Sequence, residues 1–196
     1  PKKQFERARN LGIPFLLQLG WRGCGKGNTI IRRRDEFIKQ LEKINTISAS
    51  GNIARNLFAS RLIKGVSPSL SAVVTDWGIL HTSLQMQILD AKETFRFSPK
   101  GLGRFCGHDF TISFSSHIQE KAHNYTLKVG EYLRKKGYRG IFGLDFVWEQ
   151  RTNMLYGVEC NPRFLGSFPT LFYHEILSGR LPLLLFHILA FLSLTK

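Results

Sequence analysis

Residues 140–166 read GIFGLDFVWEQRTNMLYGVECNPRFLG, and this stretch decides the fold. Residues 141–149 and 154–160 are rich in β-branched and aromatic side chains and flank the polar segment Gln150-Arg151-Thr152-Asn153, the pattern of a β-hairpin. A three-residue loop at Arg151, Thr152 and Asn153, with Asn153 in the left-handed conformation, pairs Gln150 with Met154 and sets Asp145 opposite Glu159. Directly opposed residues hold their Cβ atoms about 4.5–5.5 Å apart, and like charges so placed destabilise a sheet. A four-residue loop would instead put the two acids on opposite faces. Asn161 shares the face of Glu159 because strand side chains alternate, and Gly143 opposite it is expected to leave space above the sheet. Two carboxylates and an amide oxygen form the all-oxygen donor set that hard Mg²⁺ prefers. Arg163 adds a cation suited to phosphate oxygens. The competing reading is a pair of solvated or ion-paired surface carboxylates.

A chain of 196 residues allows one domain or two closely packed lobes. With 43% hydrophobic and 12% aromatic residues it reads as globular and not disordered. The 28 Lys and Arg against 14 Asp and Glu give a net charge of +14, which points to anionic partners: nucleotide phosphates, a nucleic acid or a membrane surface. The three cysteines, Cys24, Cys106 and Cys160, form no CxxC pair, so neither a disulfide framework nor a zinc site is indicated and a cytoplasmic setting fits. No signal peptide opens the chain, which starts with an element already under way and reads as part of a longer protein.

Along the chain, residues 3–10 read as the end of a helix and 13–19 as a strand. Residues 20–27, GWRGCGKG, approach the P-loop pattern GxxxxGK[ST], but Gly27 stands where the hydroxyl should be, and the β-branched residues that follow favour a second strand over a helix. The expectation is a hairpin whose glycine tip, with Lys26 and backbone N–H groups, folds over phosphates; an ordinary glycine turn is the alternative. A helix follows with Phe37, Ile38, Leu41 and Ile44 on one face and Asp35 as its cap. Residues 57–63 form a strand running into a Lys64-Gly65 hinge, and residues 69–75 and 78–89 form two strands across a turn at Asp76-Trp77-Gly78. Residues 90–109 read as a long basic loop with a substrate role, in which His108 is more simply structural. A helix opens with a capping box at Ser116 and Gln119, carries Ile118, Ala122, Tyr125, Val129 and Tyr132 on its apolar side, and stops at Gly137. Two apolar helices follow, at 170–177 and 182–194; the second, at about fourteen residues, is shorter than the roughly 20 that span a membrane.

The strand, the Gly/Lys tip, the hinge at Ile63-Lys64-Gly65, and above all Gly143-Leu144-Asp145-Phe146-Val147 with Val158-Glu159-Cys160-Asn161-Pro162-Arg163 resemble the ATP-grasp superfamily. The resemblance implies an α+β fold of two lobes, 1–64 with the glycine-rich loop and 65–196 with an antiparallel sheet and the Mg/ATP site, the family's N-terminal subdomain lying before Pro1. It implies metal binding (Mg²⁺, or Mn²⁺) by Asp145, Glu159 and Asn161, catalytic contacts from Arg163 and Lys26, and ATP contacts at Gln18, Gly23, Gly25, Lys26, Gly27, Ile63 and Phe146. The chain departs from the family at Gln18, where many members have Lys, and at Arg61 and Lys64, near a hinge where an acid is common. The implied activity is ATP-dependent ligation of a small carboxylate, activated as an acylphosphate, to an amine or similar nucleophile. Two alternatives stand beside it: a basic nucleic-acid module using Phe95, Phe97 and Phe105, and an ATP-grasp domain that binds ATP without catalysis.

Overall fold

The structure, a computed structural model, describes residues 2–19, 28–49, 57–91 and 103–192. The glycine tip, Cys24, Phe95 and Phe97 lie outside the described residues. Contacts divide the chain into two compact units, Pro1–Ile63 with Leu89–Cys106 and Lys64–Ile88 with Gly107–Lys196.

In the first unit, helix α1 (Lys2–Arg9), strands β1 (Phe15–Leu19) and β2 (Thr29–Ile31), helix α2 (Arg34–Ala49) and strand β3 (Leu57–Arg61) build a three-stranded antiparallel sheet of order β2-β1-β3. Alternation along β1 buries Phe15, Leu17 and Leu19, while Leu16 and Gln18 are only half-buried. Phe15 meets Phe5 of α1 and Phe37 of α2 at ring-centroid distances of 6.1 and 6.2 Å, so one aromatic trio anchors both helices. Asp35 is not the cap of α2: the helix starts at Arg34, and Glu36 reaches back to accept the Arg32 N–H at 2.8 Å.

The second unit holds most of a six-stranded sheet between helices. Strands β4 (Pro68–Val74), β5 (Ile79–His81), β6 (Gln85–Leu89), β7 (Phe105–Asp109), β8 (Gly140–Glu149) and β9 (Met154–Asn161) follow the order β7-β6-β4-β8-β9, antiparallel along that order from β6 through β9, with β5 also paired to β4. Strand β4 is buried along its whole length. One face, carrying Leu70, Ala72, Phe142, Leu144 and Phe146, packs on Ile118 and Ala122 of helix α3 (Ser116–Lys135). On the other face, Val73 and Ile141 pack against Phe168 and Leu171 of α4 (Phe168–Leu177) and Leu183 of α5 (Leu183–Phe191). No helix among the described residues is long and apolar enough to cross a membrane.

Several local expectations change. The single strand expected over 78–89 is two, because residues 82–84 turn aside: Thr82 Oγ1 accepts the Ser71 N–H and Gln119 of α3 takes the Leu84 N–H at 3.1 Å. Gln119 is thereby spent on the sheet and forms no capping box; Ser115 is the N-cap residue, without a side-chain cap bond. The buried stripe of α3 is Ile118, Ala122, Thr126 and Gly130, leaving Tyr125 and Tyr132 largely exposed. Residues 105–109 form β7 and not loop.

Candidate active site

The β8–β9 hairpin closes through four residues, 150–153, because Glu149 pairs with Met154. Asn153 does take the left-handed conformation, at φ 53°, and its side chain accepts from the Trp148 indole at 3.2 Å. In a regular ladder such a loop would set Val158 opposite Asp145 and turn Glu159 to the other face. A bulge prevents this. Phe146 pairs with Gly157 and Asp145 with Glu159, so Val158 is the extra residue and stays 56% exposed. Beyond it, Asp145 faces Glu159 and Gly143 faces Asn161, as the motif spacing anticipates, but the register is set by a bulge and not by a three-residue loop.

These residues occupy the face that also carries α4 and α5, at its polar end. Asn161 is buried and donates through Nδ2 to Asp145 Oδ2 at 2.9 Å, while its Oδ1 accepts from Arg163 Nη2 at 3.1 Å. Gln87 on β6 donates to Asp145 Oδ1, reaching diagonally over β4. Burial, with the neighbouring Glu159, pushes the Asp145 carboxyl up to about 6, opposed by the hydrogen bonds from Asn161 and Gln87 and by Arg163. Burial and the same two acids push the Cys160 thiol up. The space expected above Gly143 is filled: a Cβ built there would lie 2.3 Å from Leu165 Cδ1.

Next along this face, Ser69 is the β4 partner of Asp145, and its Oγ lies 2.6 Å from His108 Nε2. Burial pushes His108 down to about 4, which keeps the imidazole neutral near pH 7. Gln87 escapes sequence reasoning because its strand precedes β8 by many residues, alternation along 85–89 being the one available signal; His108, expected to be structural in a loop, stands on β7.

The other expected site residues fall on other stretches of the chain. Phe146 is 1% exposed in the α3-facing core, on the face opposite Asp145. Gln18 sits on β1 opposite Phe58, accepting from Ser60 Oγ at 3.2 Å, and Ile63 lies half-buried in irregular chain after β3. Gly23, Gly25, Lys26 and Gly27 lie outside the described residues. Phe105 begins β7.

The donor chemistry fits a hard divalent cation. Two carboxylates meet on one face, one is half-buried beside the other's charge, and a cation between them would relieve both costs. Among the described residues no group of three or more His, Cys, Asp or Glu supplies an alternative cage.

A family model for the ATP-grasp domain matches residues 21–167, more than half of the chain, and the chain belongs to this family. Its fold is that of the N5-carboxyaminoimidazole ribonucleotide synthetase from Thermus thermophilus (21% identity, TM-score 0.67, all of this chain and 46% of that one). It is likewise similar to the carboxyaminoimidazole ribonucleotide synthase from Aspergillus clavatus, solved with ATP (18%, TM-score 0.65, 100% and 45%). A third such structure is the biotin carboxylase domain of the Hydrogenobacter thermophilus 2-oxoglutarate carboxylase, solved with MgADP, ADP and bicarbonate (18%, TM-score 0.66, 93% and 37%). The chain thus spans less than half the length of these structures. No curated protein matches it in sequence.

Proposed function

We propose that this chain carries the ATP- and metal-binding part of a ligase that activates a small carboxylate as an acylphosphate for attack by an amine or similar nucleophile. The observation that carries the reading is the opposition of Asp145 and Glu159, maintained by a bulge, with Asn161 and Arg163 on the residues that follow Glu159. An acid pair that destabilises a bare sheet has a physical reason to exist if a cation fills it. Asp145, Glu159 and Asn161 would hold Mg²⁺ or Mn²⁺, the amide turning its oxygen inward in place of the NH₂ it now shows Asp145. The metal would neutralise charge on the transferring phosphoryl group.

In the reaction, a carboxylate oxygen attacks the γ-phosphorus and ADP leaves. The nucleophile then adds to the acyl carbon, phosphate leaves, and the amine proton passes to solvent or to a base. Arg163, whose guanidinium is tied to Asn161, would steady the anionic partners of both steps. Lys26 and the glycines at 23, 25 and 27 would close over the phosphates, with Gln18 and Ile63 at the nucleotide. A cytoplasmic setting, resting on the cysteine pattern, belongs to the same reading.

Mg²⁺-dependent ATP binding to this chain tests the first half, and hydroxylamine trapping of acylphosphate by the full-length protein tests the second. Asp145→Asn and Glu159→Gln should each abolish the metal dependence and turnover. Wild-type nucleotide binding and turnover in both variants would overturn the assignment. Tight binding of nucleic acid that falls steeply with salt and ignores ATP would favour the nucleic-acid alternative instead.

A further inference from the structure

On the α3 side of the second sheet, away from the carboxylate pair, two histidines meet. His81 ends β5 opposite Ala72, whose side chain belongs to the α3-facing core, and His123 lies on α3. His81 Nε2 and His123 Nδ1 are 2.7 Å apart, with ring centroids at 4.9 Å and an interplanar angle of 53°. The other nitrogen of His81, Nδ1, lies 2.7 Å from the carbonyl oxygen of Thr82. A carbonyl only accepts, so His81 carries its proton on Nδ1 and its Nε2 lone pair points at His123. This is the arrangement of a metal-ligating histidine, whose second nitrogen is anchored to a carbonyl or carboxylate.

We propose that His81 and His123 form a surface site for a late first-row divalent cation, Cu²⁺ or Zn²⁺. Imidazole nitrogen suits these ions and is a poor ligand for Mg²⁺, so the site is chemically separate from the oxygen cluster at Asp145. At metal–nitrogen distances of about 2.0–2.1 Å, two adjacent ligands stand roughly 2.9–3.3 Å apart. The observed 2.7 Å therefore needs to open by only a few tenths of an ångström as the rings turn toward a shared ion. His123 is exposed and free to make that turn, its Nδ1 proton moving to Nε2 through solvent as the ion binds. Water fills the remaining positions. Because the ligands come from β5 and α3, the bound ion would clamp the helix to the sheet.

The test uses metal-freed protein titrated with Zn²⁺ and with Cu²⁺ in excess Mg²⁺. The expected result is one ion per chain, shifts of the His81 and His123 ring nitrogens in ¹⁵N spectra, and Cu²⁺ EPR couplings to two nitrogens. Losing a mere outer-shell partner costs about tenfold in metal affinity, so His81→Gln and His123→Gln should each cost at least that, with Mg²⁺-dependent ATP binding unchanged. His123→Gln sits on the helix surface and provides a folded variant; the wild-type spectra decide independently of either variant. Ring signals that do not move, or equal affinity in the double variant, would overturn the proposal.

Discussion

Gln87 and Asp145 are joined by a hydrogen bond that crosses an intervening strand: Gln87 lies on β6, Asp145 on β8, and β4 runs between them. Asp145 thus has both carboxylate oxygens engaged, one by Gln87 and one by Asn161, in a half-buried setting where either loss leaves a charge less compensated. Gln87→Leu should weaken Mg²⁺ binding by about tenfold to a hundredfold, the cost of losing an outer-shell partner. The Mg²⁺ concentration that half-saturates ATP binding measures this, and an unchanged midpoint would show that Gln87 only fills space.

The Gly143 position has no room for a methyl group, because Leu165 lies over it. Gly143→Ala should destabilise the protein by about 1–3 kcal/mol through overpacking. Urea denaturation of Gly143→Ala, Leu165→Ala and the double variant measures the coupling: the double should be more stable than the sum of the single effects predicts. Simple additivity would place the strain elsewhere.

A different glycine serves close backbone approach. A Cβ on Gly65 would lie 2.2 Å from the Trp148 carbonyl oxygen, beside the bridge between Val66 and Trp148. A carbonyl in a ladder cannot swing away as a leucine tip can. Gly65→Ala should therefore cost more than Gly143→Ala in the same denaturation series.

His108 gives a pH dependence of definite sign. Its ordinary value of 6.5 applies to the unfolded chain and about 4 to the folded one. Between these values the unfolded chain holds a proton that the folded chain refuses, so the contribution is complete above pH 6.5 and is lost as pH falls toward 4. Discounted for its partial exposure, the loss is on the order of 1–2 kcal/mol. His108→Gln should flatten the stability curve between pH 4 and 6.5; a curve parallel to wild type would contradict this.

Lys26→Ala tests the glycine tip. One charge-assisted contact to phosphate contributes about 1.5–3 kcal/mol, so ATP affinity should drop roughly tenfold to a hundredfold while the Tm without nucleotide stays put. Titration calorimetry and a thermal melt of the same sample suffice. Wild-type ATP affinity would mean that phosphate is held elsewhere.

Much of this protein is legible in one dimension because short-range rules act there. Strand alternation and the spacing between Gly143-Leu144-Asp145 and Val158-Glu159-Cys160-Asn161 were enough to read a hairpin with opposed acids, and the glycine-closed helix before it needed only its own periodicity. The means of reaching that register was not legible. A four-residue turn and a bulge at Val158 produce the same opposition as a three-residue turn without one, since the residue gained in the turn and the residue gained in the bulge offset each other. The groups gathered on the face of the acids also lay beyond local pattern. Gln87 and His108 arrive from strands far from β8 in sequence, and only the order β7-β6-β4-β8-β9 sets them on one polar face. Tertiary structure likewise decided that Phe146, one residue from Asp145, belongs to the α3-facing core: a pleated strand sends neighbours to opposite sides, and the helix that packs on one side determines which of them is buried.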